Sequence, residues 1–197
     1  MSAEINKVLL WICDHIASAG PKVIRARTPS VPPVLVFSDG ACEVECTSIG
    51  AVLIDPLGIC ECFGAVMNEA TIASWRSSEA QSQVIGQAEL FPLLVARLTW
   101  QQHLEGRRVI FFIDNESARL ALVKAYSPVL ASLNIVLQCA SFDAKHEISS
   151  WYARVPTLSN IADAPSRMCV SKELKALGAV VVPPVCPSGA CLDGFLE

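Results

Sequence analysis

Two short apolar runs of this sequence each lead into an aspartate. Residues 34–37 precede Asp39, and residues 109–113 precede Asp114. A short, wholly apolar run is typical of a strand that is covered on both faces of a sheet. Acids at the carboxyl ends of such strands line the crevice in which an α/β sheet binds its ligand. The two runs therefore predict an α/β sheet with an acidic site at one end of its strands.

Two further acids are isolated in a similar way. Glu89 lies in a stretch of mostly apolar residues, and Asp163 lies where a loop leads into a helix. Carboxylates that lie close together repel each other unless a cation offsets the repulsion. Clusters of carboxylate oxygens suit Mg²⁺ or Mn²⁺. We therefore expect Asp39, Glu89, Asp114 and Asp163 to be the catalytic residues and metal ligands of a two-ion site for phosphodiester chemistry.

Each of these acids also has a structural explanation. Asp39 can end a strand in a turn, Asp114 can cap a helix, and Asp163 can interact with a helix dipole. Glu89 is the hardest to explain in this way, because an acid on an apolar stripe needs a partner and Arg97 is too far along the helix. Four unrelated structural acids are the alternative interpretation of the pattern.

Hydrophobic periodicity and turn residues predict three strands, then a helix, then alternating strands and helices. We expect strands at 34–39, 48–55, 59–66, 109–113 and 148–155, and helices at 85–104, 115–126, 127–142 and 160–168. The polar segment 68–82 predicts a loop. Three antiparallel strands followed by parallel ones give an α/β fold with a five-stranded mixed sheet and helices on both faces.

The two ends of the chain differ from its centre. Apolar residues near the start share one face at helical spacing and predict an amphipathic helix at 4–18: Ile5, Val8, Leu9, Ile12 and Ile16. A proline-rich linker follows. We therefore expect an N-terminal helix and linker at 1–30, a domain at 31–168, and a C-terminal helix and tail at 169–197. The first segment has no second element to cover its apolar face, so it either packs on the domain that follows or is the remnant of a preceding one. Because the linker separates it from the domain, we expect this face to pack on a partner or on a preceding segment.

Four short motifs carry the acids, in the order of these elements. They are Phe37-Ser38-Asp39-Gly40-Ala41 on the first strand, Ala88-Glu89-Leu90 on the first helix of the domain, Ile113-Asp114-Asn115 after the fourth strand, and Asn160-Ile161-Ala162-Asp163-Ala164-Pro165-Ser166-Arg167 at the last helix. Each motif is short, but their order and placement together are specific. On these residues the chain resembles the ribonuclease H family over 31–168, and most closely the ribonuclease H domains of retroelement reverse transcriptases.

The resemblance implies a ribonuclease H-like fold and endonucleolytic hydrolysis of the RNA strand of RNA–DNA hybrids. The cofactors would be two Mg²⁺ ions, for which Mn²⁺ can substitute, and the 2′-hydroxyl would mark the RNA strand. Asp39 would bridge the ions, Glu89 and Asp114 would complete one metal shell, and Asp163 the other. The expected substrate-binding residues are Gly40, Ala41, Asn115, Arg154, Asn160 and Arg167, with Gly40-Ala41 leaving room for the substrate to approach the backbone.

The sequence differs from the cellular members of the family in one loop. Those proteins usually carry a histidine between the last strand and the helix with the final aspartate. Residues 155–159 contain none, and the nearest, His146, precedes the last strand. Some retroelement domains also lack this histidine. The difference predicts slow turnover.

Composition limits the partners and the location. The net charge is −4, and residues 31–168 alone carry −5, so affinity for a phosphate backbone must be local or be supplied by another domain. The expected partners are an RNA–DNA hybrid and a reverse transcriptase polymerase domain or another protein subunit. The sequence has no run of about 18 apolar residues, so we expect no membrane partner. Nine scattered cysteines favour reduced thiols in an intracellular location, the cytoplasm or the nucleus.

Two other functions fit parts of the sequence. A ribonuclease H-like module without activity, serving as a structural or interaction domain, would keep the fold and lose the chemistry. An ATP-binding domain of the actin type shares the core and also begins with a strand followed by Asp-Gly. It needs a second, duplicated domain, for which this chain has no room.

Overall fold

The computed structural model describes residues 3–18, 31–43, 46–77 and 84–196. The chain divides into two compact units, Met1–Pro32 and Pro33–Glu197. The first unit contains helix α1 (Ala3–Ser18), as its apolar spacing predicts. Most of the predicted linker, residues 19–30, lies outside the described residues. None of the helices in the described ranges is long and apolar enough to cross a membrane.

The second unit is a sheet with helices on both faces. Its strands are β1 (Val34–Cys42), β2 (Thr47–Asp55), β3 (Ile59–Met67), β4 (Arg108–Ile113), β5 (Ser149–Arg154), β6 (Val180–Val181) and β7 (Leu192–Phe195). Its helices are α2 (Glu69–Ser77), α3 (Ile85–Thr99), α4 (Gln101–Leu104), α5 (Glu116–Lys124), α6 (Leu130–Lys145), α7 (Asp163–Ser166) and α8 (Lys172–Ala176), with a 3₁₀ turn at Thr157–Ser159.

The strand order is β5-β4-β1-β2-β3-β6, with β7 also paired to β3. β1, β2 and β3 are antiparallel, whereas β4 lies parallel to β1 and β5 parallel to β4. The mixed α/β sheet is therefore as predicted. Because β1, β4 and β5 run in the same direction, their carboxyl ends meet at one edge, where the motif acids are expected.

Within the described residues the sheet has seven strands rather than the predicted five. Both additional strands come from the C-terminal tail: β6 pairs with Glu61 and Cys62 of β3, and β7 pairs with Ala65, Val66 and Met67. The sequence does not predict them because they are only two and four residues long, in a segment rich in Pro, Gly and Cys. They cover the edge of β3, whose backbone groups would otherwise be open to another chain.

Two other predictions need correction. Helix α2 occupies much of the segment predicted as a loop. The predicted helix at 85–104 is interrupted at Trp100, so α3 and α4 are separate, and Pro92 lies inside α3. Trp100 is buried and its indole N–H donates to Glu61 of β3 at 2.8 Å, a tertiary contact that local sequence does not reveal.

One face of the sheet carries α3, α5 and α6 over the larger core. Arg97 of α3 is completely buried there. Its guanidinium lies 4.1 Å from the centre of the Phe111 ring and pairs with Asp143 of α6, with 2.8 Å between Nε and Oδ1. Buried charges need such partners. This ion pair ties α3, which carries Glu89, to α6 and the sheet.

The other face is covered by the segment containing α7 and α8. A small cluster there joins Val52 and Cys62 of the sheet to Ala162 and Leu174. The nine cysteines, all at described positions, are free thiols.

Candidate active site

Three carboxylates converge where the parallel pairing of β1 with β4 ends. One oxygen from each of Asp39, Glu89 and Asp114 lies within 4.8 Å of the others. Asp39 and Glu89 are buried, with 6% and 8% of their surface exposed, and Asp114 is half-buried. An acidic cluster this far from water is unfavourable by itself, so its geometry requires an explanation.

The parallel pairing of β1 and β4 explains two of the three positions. Ser38 is opposite Ile113 in the register, so the residues that follow them, Asp39 and Asp114, lie side by side. Asn115 then begins α5 as its N-cap, with its side-chain oxygen 3.0 Å from the backbone N of Ala118. Its amide also donates to Glu89 at 3.5 Å. Asn115 thus links two acids of the cluster to the start of a helix.

Gly40 explains how α3 brings Glu89 to the other two acids. A Cβ at Gly40 would collide with the carbonyl of Ala88 and crowd the backbone N of Glu89. That carbonyl lacks the usual helical donor, because the residue four positions later is Pro92, which has no N–H. The structure therefore gives Gly40 a role that the sequence does not indicate: its lack of a side chain lets α3 pack directly on β1.

The environment raises the pKa values of two acids. Burial, followed by repulsion from Asp39 and Asp114, raises the pKa of Glu89 to about 8, although the Asn115 side chain and the Gly40 backbone N–H both act to lower it. Burial also raises the pKa of Asp39, against the hydrogen bond from Ser166. The fold thus holds carboxylates in a place that disfavours their charge, which is typical of functional sites.

Two oxygens of the cluster have no hydrogen-bond donor. Glu89 Oε2 and Asp114 Oδ1 are buried and have no partner among the described residues. Buried polar atoms are rarely left without a partner, so each such atom needs an explanation. Carboxylate oxygens without donors in a group of three acids fit a hard divalent cation. The residues present therefore fit Mg²⁺ or Mn²⁺.

The fourth acid, Asp163, does not belong to this group. It begins α7, and its Oδ1 accepts a hydrogen bond from Arg167 Nε at 3.1 Å. Arg167 also pairs with Glu43 at 3.1 Å. Asp163 still contributes repulsion that raises the pKa of Asp39, so the two carboxylates interact electrostatically.

The residues expected to bind substrate occupy different environments. Gly40 and Ala41 are buried in β1, and Asn115 is half-buried. Asn160 is buried and donates to the Ser38 carbonyl at 3.0 Å and to Asp39 at 3.5 Å. Arg154 and Arg167 are exposed. The two arginines are therefore accessible to solvent, whereas Asn160 contacts the acidic site itself.

The histidines with described side chains lie away from the acids. His146 lies before the start of β5, at the end of the parallel strands opposite to the acids. The centre of its ring is 4.3 Å from that of Phe142. His103 interacts electrostatically with Asp55, which ends β2 beside the start of β1. Neither can replace the histidine missing from residues 155–159.

Sequence reasoning missed three residues that build the site. Ser166 is completely buried and places its hydroxyl 2.5 Å from Asp39 Oδ2. Gly50 and Gly64 lie opposite each other in β2 and β3, and a Cβ at either would collide with the backbone of Pro165 or Ser166. A glycine inside a strand often marks such a close approach, which was the available signal.

Comparison with known proteins finds similarity in solved structures. No family model and no curated protein matches the chain. A ribonuclease H1 isolated from compost by a metagenomic approach has a TM-score of 0.55 and 18% identity, over 72% of this chain and 98% of the other. A complex of that enzyme with RNA/DNA hybrid has a TM-score of 0.50 and 17% identity, over 72% of this chain and 99% of the other.

A ribonuclease H1 from the halophilic archaeon Halobacterium salinarum has a TM-score of 0.53 and 17% identity, over 69% of this chain and 96% of the other. At such identities the likeness concerns the fold and does not extend to activity. The mixed sheet, the order of its elements and these similar structures all indicate the same fold. The chain has a ribonuclease H-like α/β fold, to which the tail adds two strands.

Proposed function

We propose that this protein belongs to the ribonuclease H family and is a metal-dependent endonuclease that hydrolyses the RNA strand of RNA–DNA hybrids. The observation that carries the proposal is the convergence of Asp39, Glu89 and Asp114 within 4.8 Å, with two buried oxygens left without donors. The fold adds support, because the cluster lies where α/β sheets bind ligands. One similar structure is of a ribonuclease H1 with a bound hybrid.

In this proposal Asp39, Glu89 and Asp114 hold divalent cations, and Asp163 completes a second metal shell. Two bound Mg²⁺ ions would activate water and stabilise the leaving oxygen of the phosphodiester. The protein's own contribution is to gather the carboxylates before any ion arrives. Asn115 and Asn160 orient acids, while the exposed Arg154 and Arg167 interact with backbone phosphates, for which arginine is well suited.

We also propose that the chain is part of a retroelement reverse transcriptase. The support is the motif from Asn160 to Arg167, in which Ser166 and Arg167 both make contacts at the site. A polymerase domain or another subunit would then supply most of the affinity for the hybrid. An intracellular, reducing location is consistent with nine free thiols.

A ribonuclease H-like module without activity is the second candidate. Two observations favour it. Asp163, the expected ligand of the second metal ion, forms an ion pair with Arg167, and residues 155–159 contain no histidine. Such a protein would keep the fold and would bind neither metal nor hybrid productively.

Cleavage of labelled nucleic acids distinguishes the two candidates. We expect the purified chain to cut the RNA strand of a hybrid in Mg²⁺ or Mn²⁺, and to leave the DNA strand, duplex RNA and duplex DNA intact. Glu89→Gln is the matched control, because it keeps the size of the side chain and removes its charge. Absence of cleavage in either metal, or equal cleavage by the control, would favour the inactive module.

A further inference from the structure

Ser166 lies between the two parts of the candidate site. It ends α7, the helical turn that begins with Asp163, and it also contacts Asp39 on β1. Its Oγ is 2.5 Å from Asp39 Oδ2 and 2.9 Å from the Asp163 carbonyl. A hydroxyl carries one hydrogen, and a charged acceptor gives the stronger bond. The bond to Asp39 is therefore the favoured one.

Two glycines make this contact geometrically accessible. Asp39 is opposite Gly50 in the sheet, and Gly50 is opposite Gly64, so the three form a row across β1, β2 and β3. Pro165 and Ser166 lie on the two glycines at distances that leave no room for a Cβ. The turn is held down by Ser48, whose hydroxyl donates to the Ser166 carbonyl at 2.6 Å.

The result is that the carboxylate of Asp39 is held at both oxygens. Ser166 donates to Oδ2, and the Asn160 amide lies 3.5 Å from Oδ1. Glu89 and Asp114, in contrast, each keep one buried oxygen without a donor. An oxygen that accepts one hydrogen bond retains a second lone pair for a cation. The contacts therefore fix the direction of Asp39 and leave it able to bind metal.

We infer that Ser166 is a positioning residue: its hydroxyl sets the orientation of the Asp39 carboxylate for a divalent cation and couples α7 to the metal-binding acids. This inference rests on the proposed function. Groups that hydrogen-bond to metal-binding carboxylates are part of the design of metal sites, and their loss typically weakens metal affinity by about 10–100-fold.

The chain offers a matched control for this role. Ser166→Ala removes the hydrogen bond to Asp39, whereas Ser48→Ala removes a hydrogen bond that holds the same turn from the other side without touching Asp39. Each variant loses one buried hydrogen bond, worth about 1 kcal/mol. If Ser166 only holds α7 in place, the two variants behave alike. If it orients Asp39, only Ser166→Ala changes metal binding.

The test is calorimetric titration of the full chain with Mn²⁺, without substrate, for the wild type and both variants. We expect Ser166→Ala to raise the Kd for Mn²⁺ about 10-fold or more, and Ser48→Ala to keep the wild-type Kd. Circular dichroism checks that each variant is folded. Should Ser166→Ala not fold, Ser166→Cys takes its place, because a thiol is a weak donor of similar size and should also raise the Kd.

The outcomes separate this inference from the proposed function. Equal Kd values for the wild type and the Ser166 variant would overturn the inference, as would an equal loss of affinity in Ser48→Ala. Failure of the wild-type protein to bind Mn²⁺ would instead contradict the proposed function.

Discussion

Among single residues, Glu89 shows most clearly what the fold imposes on the site. It is held in a buried position beside two other acids, and these surroundings raise its pKa to about 8. The unfolded chain would titrate it near its ordinary value of 4.5. The folded protein without metal therefore binds a proton that the unfolded chain releases at neutral pH.

This difference predicts how stability depends on pH. Without metal, the stability that the protonated Glu89 contributes is fully present below pH 4.5 and is lost as the pH rises toward 8, by up to about 1.4 kcal/mol per pH unit. The raised pKa of Asp39 acts in the same direction. Thermal unfolding in a chelating buffer measures the effect. Glu89→Gln should flatten the dependence, and an unchanged slope would refute the assigned environment.

The loop before α7 gives a second residue-scale prediction. Leu158 is fully exposed, two residues before Asn160, which contacts Asp39. A histidine there can exchange protons near neutral pH, which neither Leu158 nor Arg154 can do. Leu158→His should raise steady-state turnover several-fold and leave hybrid affinity unchanged. A burst experiment provides the check: if chemistry is already rate-limiting and the variant is no faster, the absence of a histidine in this loop is not what limits turnover.

Among the elements, α7 depends most on a tertiary contact that the sequence hardly reveals. It is only four residues long, shorter than the predicted helix at 160–168, and it lies on Gly50 and Gly64. Asn160 reaches back across 122 residues to the Ser38 carbonyl. Contacts this distant in sequence hold the turn in place.

Adding a methyl group at this contact should displace α7. Gly50→Ala places a Cβ against the backbone of Pro165 and Ser166, and overpacking of this kind costs about 1–3 kcal/mol. Gly194→Ala is the matched control, because a Cβ at Gly194 in β7 meets nothing within 4 Å. Chemical denaturation measures both. Equal stability of the two variants would mean that the close packing of α7 is unimportant.

The elements differ in how far the sequence predicts them. The apolar runs of β1 and β4 and the turn between β2 and β3 are local signals, and the structure has these strands close to the predicted positions. Convergence of Asp39 and Asp114 follows from parallel neighbours. The break between α3 and α4 depends on the packing of Trp100. Strands β6 and β7 depend on the free edge of β3. Neither cause can be predicted from a local sequence pattern.

At the scale of the whole molecule, charge limits how the protein binds nucleic acid. Residues 31–168 carry a net −5, and several of their arginines are already paired, such as Arg97 with Asp143 and Arg107 with Asp55. Few cations therefore remain for phosphates. The net charge follows from composition alone, whereas the ion pairs that occupy these arginines are known only from the fold.

We expect the isolated chain to bind hybrid weakly and with a shallow dependence on salt. Each phosphate contact contributes about −0.9 to the slope of the logarithm of affinity against the logarithm of salt for B-form DNA. Fluorescence anisotropy over a range of salt concentrations measures the slope. Nanomolar affinity at physiological salt without a partner would contradict this expectation.

The account as a whole depends on the acids being the site of chemistry, and Asp114→Asn tests this most directly. Asp114 repels Asp39 and Glu89 and raises the pKa of both, so its neutralisation should leave the metal-free protein folded and slightly more stable. The measurement is the rate of RNA-strand cleavage in a hybrid with Mg²⁺, for the wild type and the folded variant. The account predicts cleavage by the wild type and only background for Asp114→Asn. Equal rates for the two proteins would contradict it.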